Sequence, residues 1–301
     1  MGSRRLNFDD RQAPAAVRSG TAFRLAGGGV MTAQLSGQIA VVTGAGRGFG
    51  RAIAESFARE GAAVTVTSRT RTELEEVAHG IRSVGGRAIA VPGDVTEPRD
   101  VDRVVAETER AFGSVTLLVS NAGVPGPFGP MWTVDPEVWW HSQQVHIRAP
   151  FLYLRRVLPG MTERRAGRII IVSALASRMV APYLSAYCVG KIAQTRITAE
   201  VAAETRELGV SIFAIDPGFV FTGIAEETMN SRDAQRWLPG MVERIRARRD
   251  SPDRDADLAR CTQRCLALAS GRYDGLSGRY MELGDDIDAM LRESSAPRQT
   301  A

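Results

Sequence analysis

The chain has 301 residues, 44% of them hydrophobic and 24% charged, which supports a sizeable core in one large domain and excludes a chain disordered throughout. Its formal net charge of +4 is spread without a block of like charges, so neither a nucleic acid nor a membrane surface is an expected partner. It contains no apolar run long enough to span a bilayer and no signal-peptide core, so a cytoplasmic protein is expected. Cys188, Cys261 and Cys265 form no disulfide framework. The last two stand one helical turn apart without further ligands, and no metal is expected.

In chain order, residues 1–34 mix Arg, Gly and Pro without periodicity and read as a flexible N-terminal arm. Short apolar runs then follow at 39–44, 63–67, 88–92, 115–120, 168–173 and 210–216. They alternate with helical patterns near 48–60, 70–84, 97–112, 135–161 and 184–208. Uninterrupted Val/Ile/Leu runs of this kind belong to parallel strands buried on both faces. The alternation predicts an α/β fold, a single doubly wound Rossmann domain over 35–285 with helices on both faces of the sheet. Residues 219–256 interrupt it with a polar, partly helical insertion that reads as a substrate lid. The stretch GRYMELGDDIDAML gives a last strand and an acidic segment, and 286–301 reads as a tail.

The first strand runs into TGAGRGFG, Thr43 to Gly50, which opens a helix. Gly44, Gly48 and Gly50, with Arg47 and Phe49 between them, suit a tight turn that brings backbone N–H groups to a pyrophosphate. The second strand ends in Ser68 and Arg69, where an acidic residue would hold ribose hydroxyls. Arg69 and Arg47 instead favour a 2′-phosphate, so NADP(H) is expected over NAD(H).

Of 38 Lys and Arg residues, a single one is Lys, at position 191. Arg serves wherever positive charge suffices, so position 191 reads as one that needs a compact ammonium. Tyr187 lies one turn before it on the same helix face. A phenol that titrates near 10 exchanges protons poorly at pH 7 unless its anion is stabilised, and Lys191 would supply the charge.

These motifs, with Asp94 in GDVT, the Asn121-Ala122-Gly123 turn, Tyr187-x-x-x-Lys191 and DPGFVFTG at 216–223, resemble the short-chain dehydrogenase/reductase family over residues 38–285. The resemblance implies a seven-stranded sheet and Tyr187 as catalytic acid/base, with Lys191 also on the nicotinamide ribose. It implies an adenine contact at Asp94 and Val95 and a cofactor-side role for Asn121 to Gly123. It further implies that Pro217, Gly218, Val220 and Thr222 wrap the nicotinamide, and that a homodimer or homotetramer forms on the helices at 135–161 and 184–208.

Two positions depart from the family. Its carbonyl-holding serine falls seven residues after Gly167 and thirteen before Tyr187, and both counts end at Ala174. The neighbouring hydroxyl, Ser173, should face the other way unless a bulge turns it inward, and Ser185 and Tyr183 are weaker substitutes. The family's asparagine that holds a relay water is replaced by His146, whose imidazole is a candidate proton carrier.

The leading expectation is an enzyme: an NADP(H)-dependent oxidoreductase that reduces a bulky hydrophobic ketone to an alcohol, or the reverse. Phe128, Met131, Trp132, Trp139, Trp140, Trp237 and Met241 are candidates for an apolar pocket. The alternative is a non-redox isomerase, dehydratase or cyclase with Tyr187 and His146 as acid/base pair. A third is a cofactor-binding protein without turnover.

Overall fold

β-Branched and aliphatic runs with no polar alternation have nowhere to go but between two layers, and the strands obey this. In the computed structural model β3 (Ile39–Thr43), β4 (Ala63–Thr67), β6 (Leu117–Ser120) and β8 (Val210–Ile215) are buried at every position, and β7 (Gly167–Val172) at all but one. With β5 (Arg87–Ala90) and β9 (Tyr280–Met281) they form a seven-stranded parallel sheet of order β5-β4-β3-β6-β7-β8-β9. The structure describes residues 33–295 and, before them, only the antiparallel pair β1 (Phe23–Arg24) and β2 (Val30–Met31). Apart from that pair and residues 33–34, the expected arm at 1–34 lies outside the described residues, as do 296–301.

Side chains alternate across the sheet with the period of two that strands impose. Val42, Ile170 and Phe213 join the layer of α1 (Gly48–Arg59), α2 (Arg71–Ser83) and α10 (Ala256–Ala269). Val41, Ile169 and Ile212 join that of α3 (Pro98–Phe112), α5 (Ala149–Glu163) and α6 (Ser185–Glu204). β3 pairs with both β4 and β6, so the strand order reverses there, and a crevice opens at their carboxyl ends.

Two expectations change, and the partly helical insertion takes definite form. The single helix at 135–161 is instead α4 (Pro136–Gln143), a π-helical turn at Gln144–Arg148 and then α5. Such a turn widens the backbone ladder by one residue and re-aims the side chains it carries, here His146. The insertion at 219–256 folds mainly as α7 (Gly223–Asn230), α8 (Arg232–Trp237) and α9 (Pro239–Arg249). The tail from 286 includes α11 (Ile287–Ser295), whose Ile287, Met290 and Leu291 pack on the core while Asp288 accepts the Tyr273 hydroxyl at 2.8 Å.

Candidate functional site

The crevice begins at the turn from β3 into α1. Gly44 sits at φ +62, a left-handed conformation that glycine adopts without strain. A Cβ on Gly50 would lie 2.4 Å from Gly44 O and 2.6 Å from Asn121 Nδ2, so the helix can approach the strand this closely only without a side chain. Arg47, the N-cap of α1, makes no side-chain capping bond, and the first turn holds no acid. The free N–H groups and positive helix end therefore face the crevice, and the loop fits a bound pyrophosphate. Asn121 fastens the far wall by donating Nδ2–H to Thr43 O (2.9 Å) and Gly44 O (3.2 Å), while Thr43 Oγ1 accepts the Asn121 and Ala122 N–H groups.

Gly44, Arg47, Gly48, Phe49, Ser68, Arg69, Asp94, Val95, Asn121, Ala122, Gly123 and Thr222 all line one cavity here, of about 200 Å³. Of the other residues expected at the cofactor, Gly50 is buried behind the loop and Val220 is buried as well. Gly218 is turned toward Asp257 and Leu283, and it and Pro217 lie off the cavity wall. Tyr187 and Lys191 lie beyond its walls, on α6. The cavity also takes in Glu73, His141 and Glu227, which no motif signalled. Arg47 is drawn to the last of these, with Nη2 3.2 Å from Glu227 Oε1.

Tyr187 and Lys191 share a face of α6 with the ammonium 5.4 Å from the ring centroid. Lys191 is 3% exposed and donates to Val172 O (2.9 Å) and Gln194 Oε1 (3.2 Å). Burial pushes its pKa down to about 7, against the opposing pull of Asp216. Burial first, then the negative charge of Asp216, raises Tyr187 well above the ordinary phenol range. The Asp216 carboxylate accepts the Gly218 N–H at 3.3 Å and is itself raised by burial.

His146 is fully buried, its ring edge-on to Tyr187 at 5.4 Å. Gly190 makes the room, because a Cβ there would stand 2.6 Å from His146 Cβ. Nε2 lies 2.9 Å from Val124 O. A carbonyl can only accept, so Nε2 carries the proton and Nδ1, which has no partner, is bare. Burial, then the Lys191 charge, lowers the imidazole to about 3. It stays neutral near pH 7, and the expected proton carrier is instead a fixed, uncharged wall beside Tyr187.

Ser173 is corrected likewise. The β7–β8 register runs unbroken to Val172 opposite Ile215, and the Ser173 N–H continues it to Ile215 O at 2.8 Å, so no bulge turns the side chain. Its hydroxyl donates to Lys191 O at 3.0 Å. Ser173 thus anchors the helix that carries Lys191, and the half-buried Ala174 presents only a methyl group just beyond the strand. Ser185 accepts from Trp139 Nε1 at 3.2 Å, and Tyr183 packs against Trp237 at a tilt of 37°, with centroids 5.1 Å apart. Among the aromatic candidates, Trp132 and Trp140 are 86% and 57% exposed and Met131 is exposed too. Phe128 and Met241 do pack with Tyr187, in a cluster that includes Leu184, Met229 and Leu238.

Residues 38–233 match the family model described as short chain dehydrogenase. The chain belongs to the short-chain dehydrogenase family. A short chain dehydrogenase of Pseudocercospora fijiensis is 33% identical over 266 residues, which cover 87% of this chain and 84% of that protein. A metagenomic short-chain oxidoreductase solved in complex with NADP superposes with a TM-score of 0.59 at 36% identity, over 62% of this chain and 85% of its own. A protein of Beutenbergia cavernae described as an NAD(P)-dependent gluconate 5-dehydrogenase, with NADP bound at low occupancy, gives 0.70 at 30% identity, over 83% and 96%. This short-chain dehydrogenase is accordingly an oxidoreductase of the nicotinamide-dinucleotide type, and the crevice at β3 and β6 fits that cofactor. Among its described residues no helix is long and apolar enough to cross a membrane.

Burying Lys191 costs the short-chain dehydrogenase stability. Below pH 7 the lysine is charged in both folded and unfolded chains, and the full penalty stands. Between about 7 and 10.5 the unfolded chain binds more protons, so stability recovers as pH rises. Lys191→Met is expected to stabilise the fold by about 2 kcal/mol at pH 6. The gain should shrink by pH 9.5, as urea unfolding at the two pH values would show.

Proposed function

We propose that this short-chain dehydrogenase is an NADP(H)-dependent reductase of a bulky hydrophobic ketone, or the dehydrogenase of the matching alcohol, with Tyr187 as its acid/base. The observation that carries the reading is the pairing of Tyr187 with the chain's single lysine, whose buried ammonium lies 5.4 Å from the Tyr187 ring centroid. The dinucleotide, when bound, supplies or accepts the hydride. Gly44 to Gly50 and the N-terminus of α1 would hold its pyrophosphate, and Ser68 and Arg69 its adenosine end. Asn121 to Gly123 and Thr222 would border the nicotinamide. Tyr187 gives its proton to the carbonyl oxygen as the carbon–hydrogen bond forms, and Lys191 favours the phenolate left behind. Ser173 acts as a positioning residue, because its hydroxyl fixes the backbone of Lys191.

NADP(H) is supported by Arg69 and Arg47 and by the NADP bound to the two solved relatives. The apolar cluster of Phe128, Leu184, Met229, Leu238 and Met241 beside Tyr187 supports a hydrophobic substrate, with α7–α9 as the lid. The proposal extends to a homo-oligomer through α5 and α6, where Phe151, Val189 and Ile192 are exposed. No observation favours the non-redox alternative, because burial lowers the basicity of the His146 that would pair with Tyr187.

The test is NADPH oxidation with a panel of aromatic and alicyclic ketones, and NADP+ reduction with the corresponding alcohols. Turnover of one pair in both directions is expected. Tight NADPH binding with no turnover of any member would overturn the reading.

A further inference from the structure

The adenosine end of the crevice holds a carboxylate beside its arginines. Glu73, in the first turn of α2, folds back over the phosphate loop, so that a Cβ on Gly46 would lie 2.5 Å from Glu73 Oε2. The same point is 3.3 Å from Ser68 Oγ, a buried hydroxyl with no hydrogen-bond partner. Gly46, Ser68, Arg69 and Glu73 all line the cavity, so its wall here carries a carboxylate with an unsatisfied hydroxyl buried beside it. Thr70, the N-cap of α2, makes no side-chain capping bond, and Glu73 is the acid in the first turn at this positive helix end. Of the two arginines expected to favour a 2′-phosphate, Arg47 is paired with Glu227 on α7.

We propose that Glu73 determines the choice between NAD(H) and NADP(H). Its carboxylate accepts a hydrogen bond from a ribose 2′-hydroxyl and repels a 2′-phosphate, which offsets the attraction of Arg69 and lets the crevice take both dinucleotides. The inference rests on the reading that this crevice holds a nicotinamide dinucleotide, and it revises the strength of the NADP(H) preference that the arginines alone would set. A carboxylate facing a phosphate a few ångströms away at a partly exposed site opposes it by about tenfold in affinity.

The test is equilibrium binding, independent of turnover. Dissociation constants of NAD+ and NADP+ are measured by isothermal titration calorimetry for the wild type, Glu73→Gln and Glu73→Ser, after circular dichroism has shown each to be folded. The preference for NADP+ over NAD+ is expected to rise about tenfold in both variants, mainly through tighter NADP+ binding. A ratio within twofold of wild type in both variants overturns the role of Glu73. Wild-type binding of NAD+ tenfold tighter than NADP+ would overturn the NADP(H) reading above, while the shift between wild type and variants would still decide Glu73. If no form binds either dinucleotide, both readings fall.

Discussion

Tyr187→Phe is expected to cut ketone reduction by about a thousandfold while leaving NADPH affinity within about threefold. The substitution removes one oxygen and keeps the ring that packs against His146 and the Phe128–Met241 cluster. What makes the loss large is the state of the polar groups around it. His146 is neutral, with its one N–H committed to Val124 O. Lys191 gives two of its three N–H groups to Val172 O and Gln194 Oε1, and the Ser173 hydroxyl donates to Lys191 O. The Asp216 carboxylate is held on the Gly218 N–H. Of these groups only Lys191 keeps a spare N–H, on an ammonium 5.4 Å from the Tyr187 ring centroid. Steady-state NADPH oxidation, with binding followed separately, checks the split, and a variant within tenfold of wild-type turnover would show that Tyr187 is not the acid.

The parts of this architecture that were legible in the sequence are those written in local chemistry. Runs such as Arg168 to Ser173 have no polar alternation, which leaves them only the interior of a parallel sheet. The loop from Gly44 to Gly50 announces itself because a side chain at Gly50 would strike Gly44 O. Tyr187 and Lys191 are four residues apart on one helix, and their adjacency follows from its pitch.

The rest depends on partners far away in the chain. Ser173 was open to a turn into the site, but its hydroxyl answers to Lys191 O, 18 residues later. His146 looked like a proton carrier because an isolated imidazole titrates near neutrality. Only the π turn that buries it and the Val124 carbonyl that fixes its tautomer withdraw that role. The Arg47–Glu227 pair spans 180 residues, and no spacing rule reaches so far. Tryptophan content suggested a pocket, but composition does not say which way a ring points, and Trp132 points outward.

The missing hydroxyl at position 174 yields the other large expected effect. Ala174→Ser is expected to raise kcat for ketone reduction by about a hundredfold with little change in the affinity for NADPH. Ala174 has an extended backbone, φ −170 and ψ 162, which a serine adopts as readily as an alanine, and its side chain is half-buried. One neutral donor aimed at an oxygen that gains negative charge contributes roughly 3 to 4 kcal/mol to the transition state, or two to three orders of magnitude in rate. The effect falls in kcat because the interaction strengthens only as charge develops. Ser173→Ala separates this from the neighbouring hydroxyl: it loosens the backbone anchor of Lys191, so it should lower kcat in both backgrounds without mimicking or cancelling the gain at 174. If Ala174→Ser leaves kcat within threefold of wild type, the carbonyl oxygen is already held by another donor, and a deficit in polarisation is not what limits this enzyme.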